Sequence, residues 1–333
     1  MMSLKIAING FGRIGRLVLR EAFSRGQDFE IIGINDLAST GTLAHLLKYD
    51  SVHGKFKGEV RVEDNHLIVN GKKILVSAEK QIEALPWREL DIILESTGVY
   101  RKRSDLERLL ALGAKKVLLS APAKEELDAT VVLGVNDHIL TGTEKLISNA
   151  SCTTNCLAPL VKVINDNFGI DKGLMVTVHA YTNDQNILDL PHNDLRRARA
   201  AAVNTVPSTT GAAKAVGVVI PEMKGKLNGY AIRVPVPNVS LTDLTLILKS
   251  EVTKDTINQL VKQASESTMK GIIEYCDEPI VSSDVIGNPN SSIFDSELTQ
   301  VIGNMAKVVA WYDNEYGYSC RIVDLMQKLG NML

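Results

Sequence analysis

Gly10-Phe11-Gly12-Arg13-Ile14-Gly15 decides the fold because of what stands on either side of it. The residues before it predict a strand over Lys5–Asn9, and those after it a helix over Ile14–Ser24. A second strand is predicted over Glu30–Asp36, ending on an acid 21 residues beyond Gly15. Strand, glycine turn, helix, strand and terminal acid form the context in which G-x-G-x-x-G carries meaning. Gly10 allows the tight turn, Gly12 lets backbone approach a pyrophosphate, and Gly15 permits close helix–strand packing. The helix start presents free N–H groups to an anion. A carboxylate at Asp36 accepts hydrogen bonds from ribose hydroxyls and repels a 2′-phosphate, so NAD is expected over NADP.

Working outward, the same rhythm continues. Further strands are expected over Asp91–Ser96, Lys116–Ser120, Val131–Val135 and Lys145–Ser148, with a helix over Ser104–Leu112. Alternating strands and helices predict a parallel sheet covered on both faces, a Rossmann-type doubly wound domain. Asn70-Gly71, between Leu67–Val69 and Lys73–Val76, predicts a hairpin inserted into it. From residue 152 the pattern changes. A helix over Cys152–Phe168 leads to long alternating runs at Leu174–Ala180, Gly229–Val236 and Leu241–Leu248. These predict an α+β domain with a mainly antiparallel sheet and one buried face. The polar, Arg-rich stretch Thr182–Asn204 has little periodicity and is too long for an idle loop. Domains are therefore expected over 1–151 and 152–316, with a C-terminal helix over 317–333 returning to the first.

Composition narrows the function. With 333 residues, 45% hydrophobic and 23% charged, the chain can build two buried cores. A net charge of −2 and few aromatics speak against nucleic acid. No apolar run approaches a membrane span, and residues 1–10 read as a strand rather than a signal sequence. Four cysteines make no disulfide framework, so a cytoplasmic enzyme with reduced thiols is expected, with no metal site.

One of those thiols stands apart. Ser148-Asn149-Ala150-Ser151-Cys152-Thr153-Thr154-Asn155-Cys156 places Cys152 at a helix start, where N–H groups and the helix dipole stabilise a thiolate. Cys156, one turn deeper, reads as a packed residue. His179, near the end of an alternating strand, is the candidate base, although spacing alone cannot pair it with Cys152.

Gly10–Gly15, Ser148–Pro159, His179–Gln185, Thr209–Gly217 and Trp311–Ser319 together resemble the phosphorylating glyceraldehyde-3-phosphate dehydrogenase family, end to end. The resemblance implies a Cys152 hemithioacetal, hydride transfer to NAD, and a thioester that inorganic phosphate opens, with His179 as activating base. It implies that Thr182, Arg233 and Arg197 hold the phosphate of glyceraldehyde 3-phosphate. Ser151, Thr153, Thr210 and Gly211 would hold the attacking phosphate. Arg13, Ile14, Ser96, Thr97, Ser120, Asn314 and Tyr318 would join Gly10, Gly12, Gly15 and Asp36 around the cofactor. It further implies a homotetramer, in which Leu190-Pro191 crowds an NADP 2′-phosphate on a neighbouring subunit. Tyr316, where many relatives carry Trp, is the one departure noted. An erythrose-4-phosphate dehydrogenase is the nearest rival reading, but Ser208-Thr209-Thr210-Gly211 and Thr182 keep the hydroxyls of a phosphate-using enzyme. A non-catalytic interaction protein on the same fold is the other rival, and the intact cysteine, histidine and anion set speak against it.

Overall fold

The computed structural model describes residues 3–26 and 29–333. Met1, Met2, Gln27 and Asp28 lie outside the described residues, including the first two residues of the expected N-terminal strand region. The chain divides into two compact units. The first comprises Met1–Val131, His138–Ala150 and Ser319–Leu333, and the second Val132–Asp137 and Ser151–Tyr318.

In the first unit β1 (Leu4–Asn9), α1 (Arg13–Ser24) and β2 (Phe29–Asn35) form the opening βαβ. There follow α2 (Thr40–Lys48), β3 (Val60–Glu63), β4 (His66–Val69) and β5 (Lys72–Ser77). The unit is completed by β6 (Leu90–Glu95), α3 (Arg103–Leu110), β7 (Ala114–Leu119), β8 (Ala129–Thr130) and β9 (Leu146–Ser148). The sheet order is β3-β4-β5-β2-β1-β6-β7-β9-β8. All pairings are parallel except β3–β4 and β4–β5. From β1 the order runs one way to β2 and the other way to β6. That reversal opens a crevice at the carboxyl ends of the strands, where α/β sheets bind ligands.

Local chemistry accounts for most of these elements. Asn70 and Gly71 both adopt positive φ (49° and 79°), the I′ geometry that joins β4 to β5. Strands β6 and β7 are almost wholly buried because both their faces are covered. Trp87, Leu90, Ile93, Leu106, Leu109 and Val117 belong to one buried cluster.

The expected strand over Val131–Val135 is not there. Only Ala129–Thr130 pairs with β9, and the chain then turns. The Asn136 side chain accepts the Val132 N–H at 2.8 Å, and Gly134 sits at φ 81°, so apolar composition is buried here as a turn. Strand β3, four residues long with mostly exposed side chains, is not among the expected elements.

In the second unit α4 (Cys152–Phe168), β10 (Ile170–Ala180), β11 (Val206–Thr209), α5 (Ala212–Val219), β12 (Leu227–Val234) and β13 (Ser240–Leu248) come first. They are followed by α6 (Lys254–Glu266), β14 (Ile273–Cys276), β15 (Ser292–Ile302) and β16 (Met305–Tyr312). Helix α7 (Tyr316–Gly330) then ends the chain, its residues from Ser319 belonging to the first unit. The sheet order is β11-β12-β10-β13-β16-β15-β14. Four pairings are antiparallel, while β10–β12 and β14–β15 are parallel. Strand β13 alternates strictly between buried and half-buried residues, the mark of one face turned to a core. Among the described residues no helix is long and apolar enough to cross a membrane.

The opening turn depends on close backbone approach. A Cβ on Gly15 would stand 2.3 Å from the Gly10 carbonyl oxygen, and one on Gly10 would stand 2.5 Å from the Thr97 nitrogen. Gly15→Ala should therefore push α1 off the strand ends. The expected result is a loss of about 1–3 kcal/mol in chemical denaturation, as for other overpacked sites. NAD affinity should fall with it. Unchanged stability and unchanged affinity would refute the close approach.

Candidate active site

The dinucleotide site is built on strand ends of the first unit. The Gly10 N–H donates to the Asn35 carbonyl at 2.8 Å, and the Ser96 hydroxyl donates to the Gly10 carbonyl at 2.6 Å. These bonds lock the glycine turn between β2 and β6. Helix α1 starts at Gly12 with no side-chain cap, and nothing stands within 4 Å of where a Gly12 Cβ would be. Uncapped N–H groups facing open space suit a pyrophosphate. A pocket of about 450 Å³ is lined by Gly10, Gly12, Asp36, Ser96, Thr97 and Tyr100, among others. The residues present thus fit an NAD molecule.

Some expected contacts are engaged elsewhere. Asp36 lines the pocket but already accepts the Phe11 N–H at 2.9 Å and the Ala38 N–H at 3.1 Å. It therefore braces the glycine turn as well as offering a carboxylate to a ribose. Arg13 is paired with Asp50, its Nη2 lying 3.1 Å from Oδ1, and Ile14 follows it in the first turn of α1. The Ser120 hydroxyl donates to the Glu95 carbonyl at 3.0 Å and so ties β7 to β6.

The cysteine site lies in the second unit. Ser151 caps α4, its hydroxyl accepting the Thr154 N–H at 3.0 Å, which makes Cys152 the first residue of the helix. The residue before the cap, Ala150, takes φ 53°, a left-handed turn that swings the chain into α4. Cys152 Sγ stands 3.7 Å from His179 Nε2. His179 Nδ1 lies 2.7 Å from the Ala180 carbonyl, which can only accept. A proton on Nδ1 satisfies that carbonyl and turns the Nε2 lone pair towards the thiol.

Electrostatics here oppose free charge. Burial pushes the Cys152 thiol up, and the Arg233 guanidinium is the chief influence pulling it down. Burial, then Arg233, holds His179 down at about 3. Burial thus opposes a charge on either group, against the pull of the helix start on the thiol. A thiolate arises by passing the proton to His179, so the two groups charge together.

The anion ligands are arranged unequally. Arg233 Nη1 lies 2.8 Å from His179 Nδ1 and 3.2 Å from the Ala180 carbonyl. Arg197 is clamped by Asp184 and donates to the Thr209 carbonyl at 3.0 Å, so its guanidinium is already committed. Thr182 accepts the Gln185 N–H through its carbonyl at 2.9 Å, at the start of the Arg-rich segment. Thr210 and Gly211 precede α5, where the Thr210 hydroxyl accepts the Ala212 N–H at 3.2 Å and open space lies beside Gly211. That is an anion site in form. Ser151 and Thr153 depart from it. The Ser151 hydroxyl is the cap of α4. Thr153 is 4% exposed, and its hydroxyl pairs with the Tyr312 hydroxyl at 2.7 Å.

Tyr312 and Ser240 escaped the sequence reading. Tyr312 also reaches the Thr177 hydroxyl at 3.0 Å and meets the His179 ring edge-on, so it holds β10 against the start of α4. Ser240 accepts the Ala180 N–H at 3.1 Å and donates to Asn314 Oδ1 at 2.8 Å. That bond leaves the Asn314 amide N–H₂ as the donor, as a carboxamide ligand requires. Tyr318 is buried at 5% exposure in the first turn of α7. Neither Tyr312 nor Ser240 belongs to a motif whose residue types name its role.

Iodoacetamide should alkylate Cys152 first. Cys156 and Cys320 are fully buried with thiols pushed up to about 12, and burial and the neighbouring Asp295, Glu274 and Glu278 push the Cys276 thiol up as well. Because the Arg233 charge draws the Cys152 thiol down, Arg233→Gln should move the alkylation profile to higher pH. Peptide mapping and rate–pH profiles test both, and an unmoved profile would remove Arg233 from the thiol's field.

Comparison with known proteins agrees with these two sites. Residues 4–103 match the model of the glyceraldehyde 3-phosphate dehydrogenase NAD binding domain, and residues 151–314 match that of the C-terminal domain. The chain is 57% identical over 330 residues to the glyceraldehyde-3-phosphate dehydrogenase of Priestia megaterium, covering 98% of each chain. It is 58% identical over 328 residues to that of Geobacillus stearothermophilus, covering 97% of each. It is 57% identical over 328 residues to glyceraldehyde-3-phosphate dehydrogenase 1 of Bacillus subtilis, again covering 97% of each. Carrying both domains along nearly its whole length, this chain is an NAD-binding oxidoreductase that belongs to the glyceraldehyde-3-phosphate dehydrogenase family.

Proposed function

We propose that the protein oxidises and phosphorylates D-glyceraldehyde 3-phosphate, reversibly, to 1,3-bisphosphoglycerate. The observation that carries this reading is Cys152 Sγ at the start of α4, 3.7 Å from His179 Nε2. Bound NAD supplies the hydride acceptor. Cys152 adds its sulfur to the aldehyde carbon as its proton passes through His179 to the new hydroxyl, giving a hemithioacetal. The N–H groups at the start of α4 suit the oxygen of that adduct. His179 Nε2 then removes the hydroxyl proton as hydride leaves the same carbon, and a thioester on Cys152 results. A phosphate oxygen attacks the thioester carbon, the C–S bond breaks, and Cys152 recovers its proton from His179. Sulfur suits this sequence because a thioester retains the oxidation energy that an oxygen ester would lose.

Arg233 and Thr182 serve the substrate phosphate, and Thr210 with Gly211 the attacking phosphate. Arg233 is the best placed of these, its Nη1 lying beside the catalytic imidazole and donating to the Ala180 carbonyl. Arg197 would contribute only after loosening from Asp184. A homotetramer fits the same reading. Ile187, Leu188, Leu195 and Val203 are each at least 75% exposed within the Arg-rich segment, apolar surface that a neighbouring subunit would cover.

The deciding experiment is NADH formation from glyceraldehyde 3-phosphate with and without inorganic phosphate. Strong dependence on phosphate is expected, whereas equal rates without it would favour an acid-releasing dehydrogenase of the erythrose-4-phosphate type. Cys152→Ser should abolish turnover while NAD still binds, and substantial residual turnover would sink the nucleophile. Asp36→Ala should weaken NAD by about 1–3 kcal/mol, losing ribose hydrogen bonds and the brace on Phe11. Specificity constants for NAD and NADP in that variant check it, and full NADP use would show that Leu190-Pro191 does not reach the ribose.

A further inference from the structure

Glu95 ends β6 beneath the NAD pocket with no exposure at all. One carboxylate oxygen accepts the Asn9 amide at 2.6 Å, and the other accepts both the Thr97 N–H, at 2.8 Å, and the Thr97 hydroxyl. The string continues outward. Asn9 Oδ1 accepts the Asn35 amide at 2.9 Å, and Asn35 Oδ1 accepts the Glu79 N–H at 2.8 Å and the Ser77 hydroxyl at 3.0 Å. A continuous buried polar chain thus joins the ends of β6, β1, β2 and β5. Those four ends carry the Ser96–Thr97 turn, the glycine turn, Asp36 and the Glu79–Lys80 wall of the pocket. No step of the proposed reaction uses Glu95.

Of the donors that meet Glu95, the Thr97 hydroxyl is the one that can rotate. Its hydroxyl oxygen accepts the Val99 N–H at 3.0 Å, and its single hydrogen can point only one way at a time. With Glu95 ionised, that hydrogen turns inward to the carboxylate. With Glu95 protonated, the acid's own hydrogen goes to the Thr97 oxygen. The Thr97 hydrogen is then released towards the pocket, where a ligand oxygen or nitrogen can take it. The acid still accepts the Thr97 and Asn9 N–H groups, so the string survives the change.

We propose that Glu95 is a proton-operated positioning residue of the NAD pocket, and that NAD binds more tightly to the protein with Glu95 protonated, taking up a proton as it binds. Burial pushes this carboxyl up to about 7, against the pull of the Thr97 and Asn9 hydrogen bonds. The protonated form therefore prevails below that pH and is lost above it. The negative pyrophosphate acts in the same direction, raising the carboxyl further when NAD is bound. The elements packed around Glu95 bring few other charges to it. β1 brings Asn9, β7 pairs Leu119 with it, and α3 brings Asp105, which raises it slightly. Asp36, Glu79 and Lys80 line the pocket itself, whereas His45, His53, His66 and His138 of this unit do not.

The proposal rests on the dinucleotide reading of the pocket, and its test separates the two. NAD binding is measured calorimetrically from pH 5.5 to 8.5, in two buffers of different ionisation enthalpy so that proton uptake is read directly. In the wild type, a bound-state rise of about one pKa unit would weaken Kd about tenfold across neutral pH, with fractional proton uptake. Glu95→Gln should bind NAD weakly and without a pH step, because the Asn9 and Thr97 N–H groups meet different carboxyl oxygens and one amide oxygen cannot accept both. Thr97→Val keeps the carboxyl but removes the movable hydrogen, and should lose most of the step at about the wild-type high-pH affinity. A step that persists in both variants, or a wild-type Kd flat across this range, would overturn the proposal. A wild type that binds no NAD at any pH would overturn the pocket assignment, and the proposal with it.

Discussion

Everything in the first unit is arranged around one steric constraint, the approach of α1 to the strand end that precedes it. Gly15 packs so closely on the Gly10 carbonyl that a methyl group would overlap it, and Gly10 packs equally closely on Thr97. Only residues without a side chain tolerate this. Because they do, the uncapped start of α1 is held over the carboxyl ends of β1 and β6, where the sheet order reverses. The pocket, its anion-binding end and the acid at Asp36 follow from that single approach. The buried string from Glu95 to Ser77 makes the rim rigid by satisfying each polar group that the reversal buries.

The second unit places a helix start at its reactive point too, but secures it differently. There Ser151 caps α4, and Tyr312 fastens Thr153 of that helix to Thr177 of β10. His179 lies two residues beyond Thr177, so the same fastening sets the distance from imidazole to thiol. The polar bonds do here what close backbone packing does in the first unit. Burial then gives the pair its character. Neither the thiol nor the imidazole holds a charge readily alone.

Much of this was legible from residue order alone. The glycine turn, the hairpin at Asn70-Gly71, the helix from Cys152 to Phe168 and the two sheet types are local or periodic features, dictated by backbone sterics and side-chain alternation. Val131–Val135 misled because apolar composition predicts burial without predicting conformation, and Asn136 with Gly134 turned that segment back on itself. Arg13, Arg197, Ser151 and Thr153 were recognisable as residue types suited to anions. Their engagement with Asp50, Asp184, the α4 backbone and Tyr312 was not recognisable, because each partner is chosen by packing.

What the sequence by itself determined is therefore the set of local devices: a nucleotide-binding turn, a cysteine at a helix start, and a family signature naming the chemistry. What only the tertiary structure decided is which groups meet. Cys152 and His179 come within 3.7 Å, Arg233 reaches His179, and Glu95 gathers three donors beneath the NAD pocket. The physical reason is range. Turn and helix preferences act over a few residues, whereas the encounter of side chains 27, 54 or 86 residues apart depends on how whole strands register and pack.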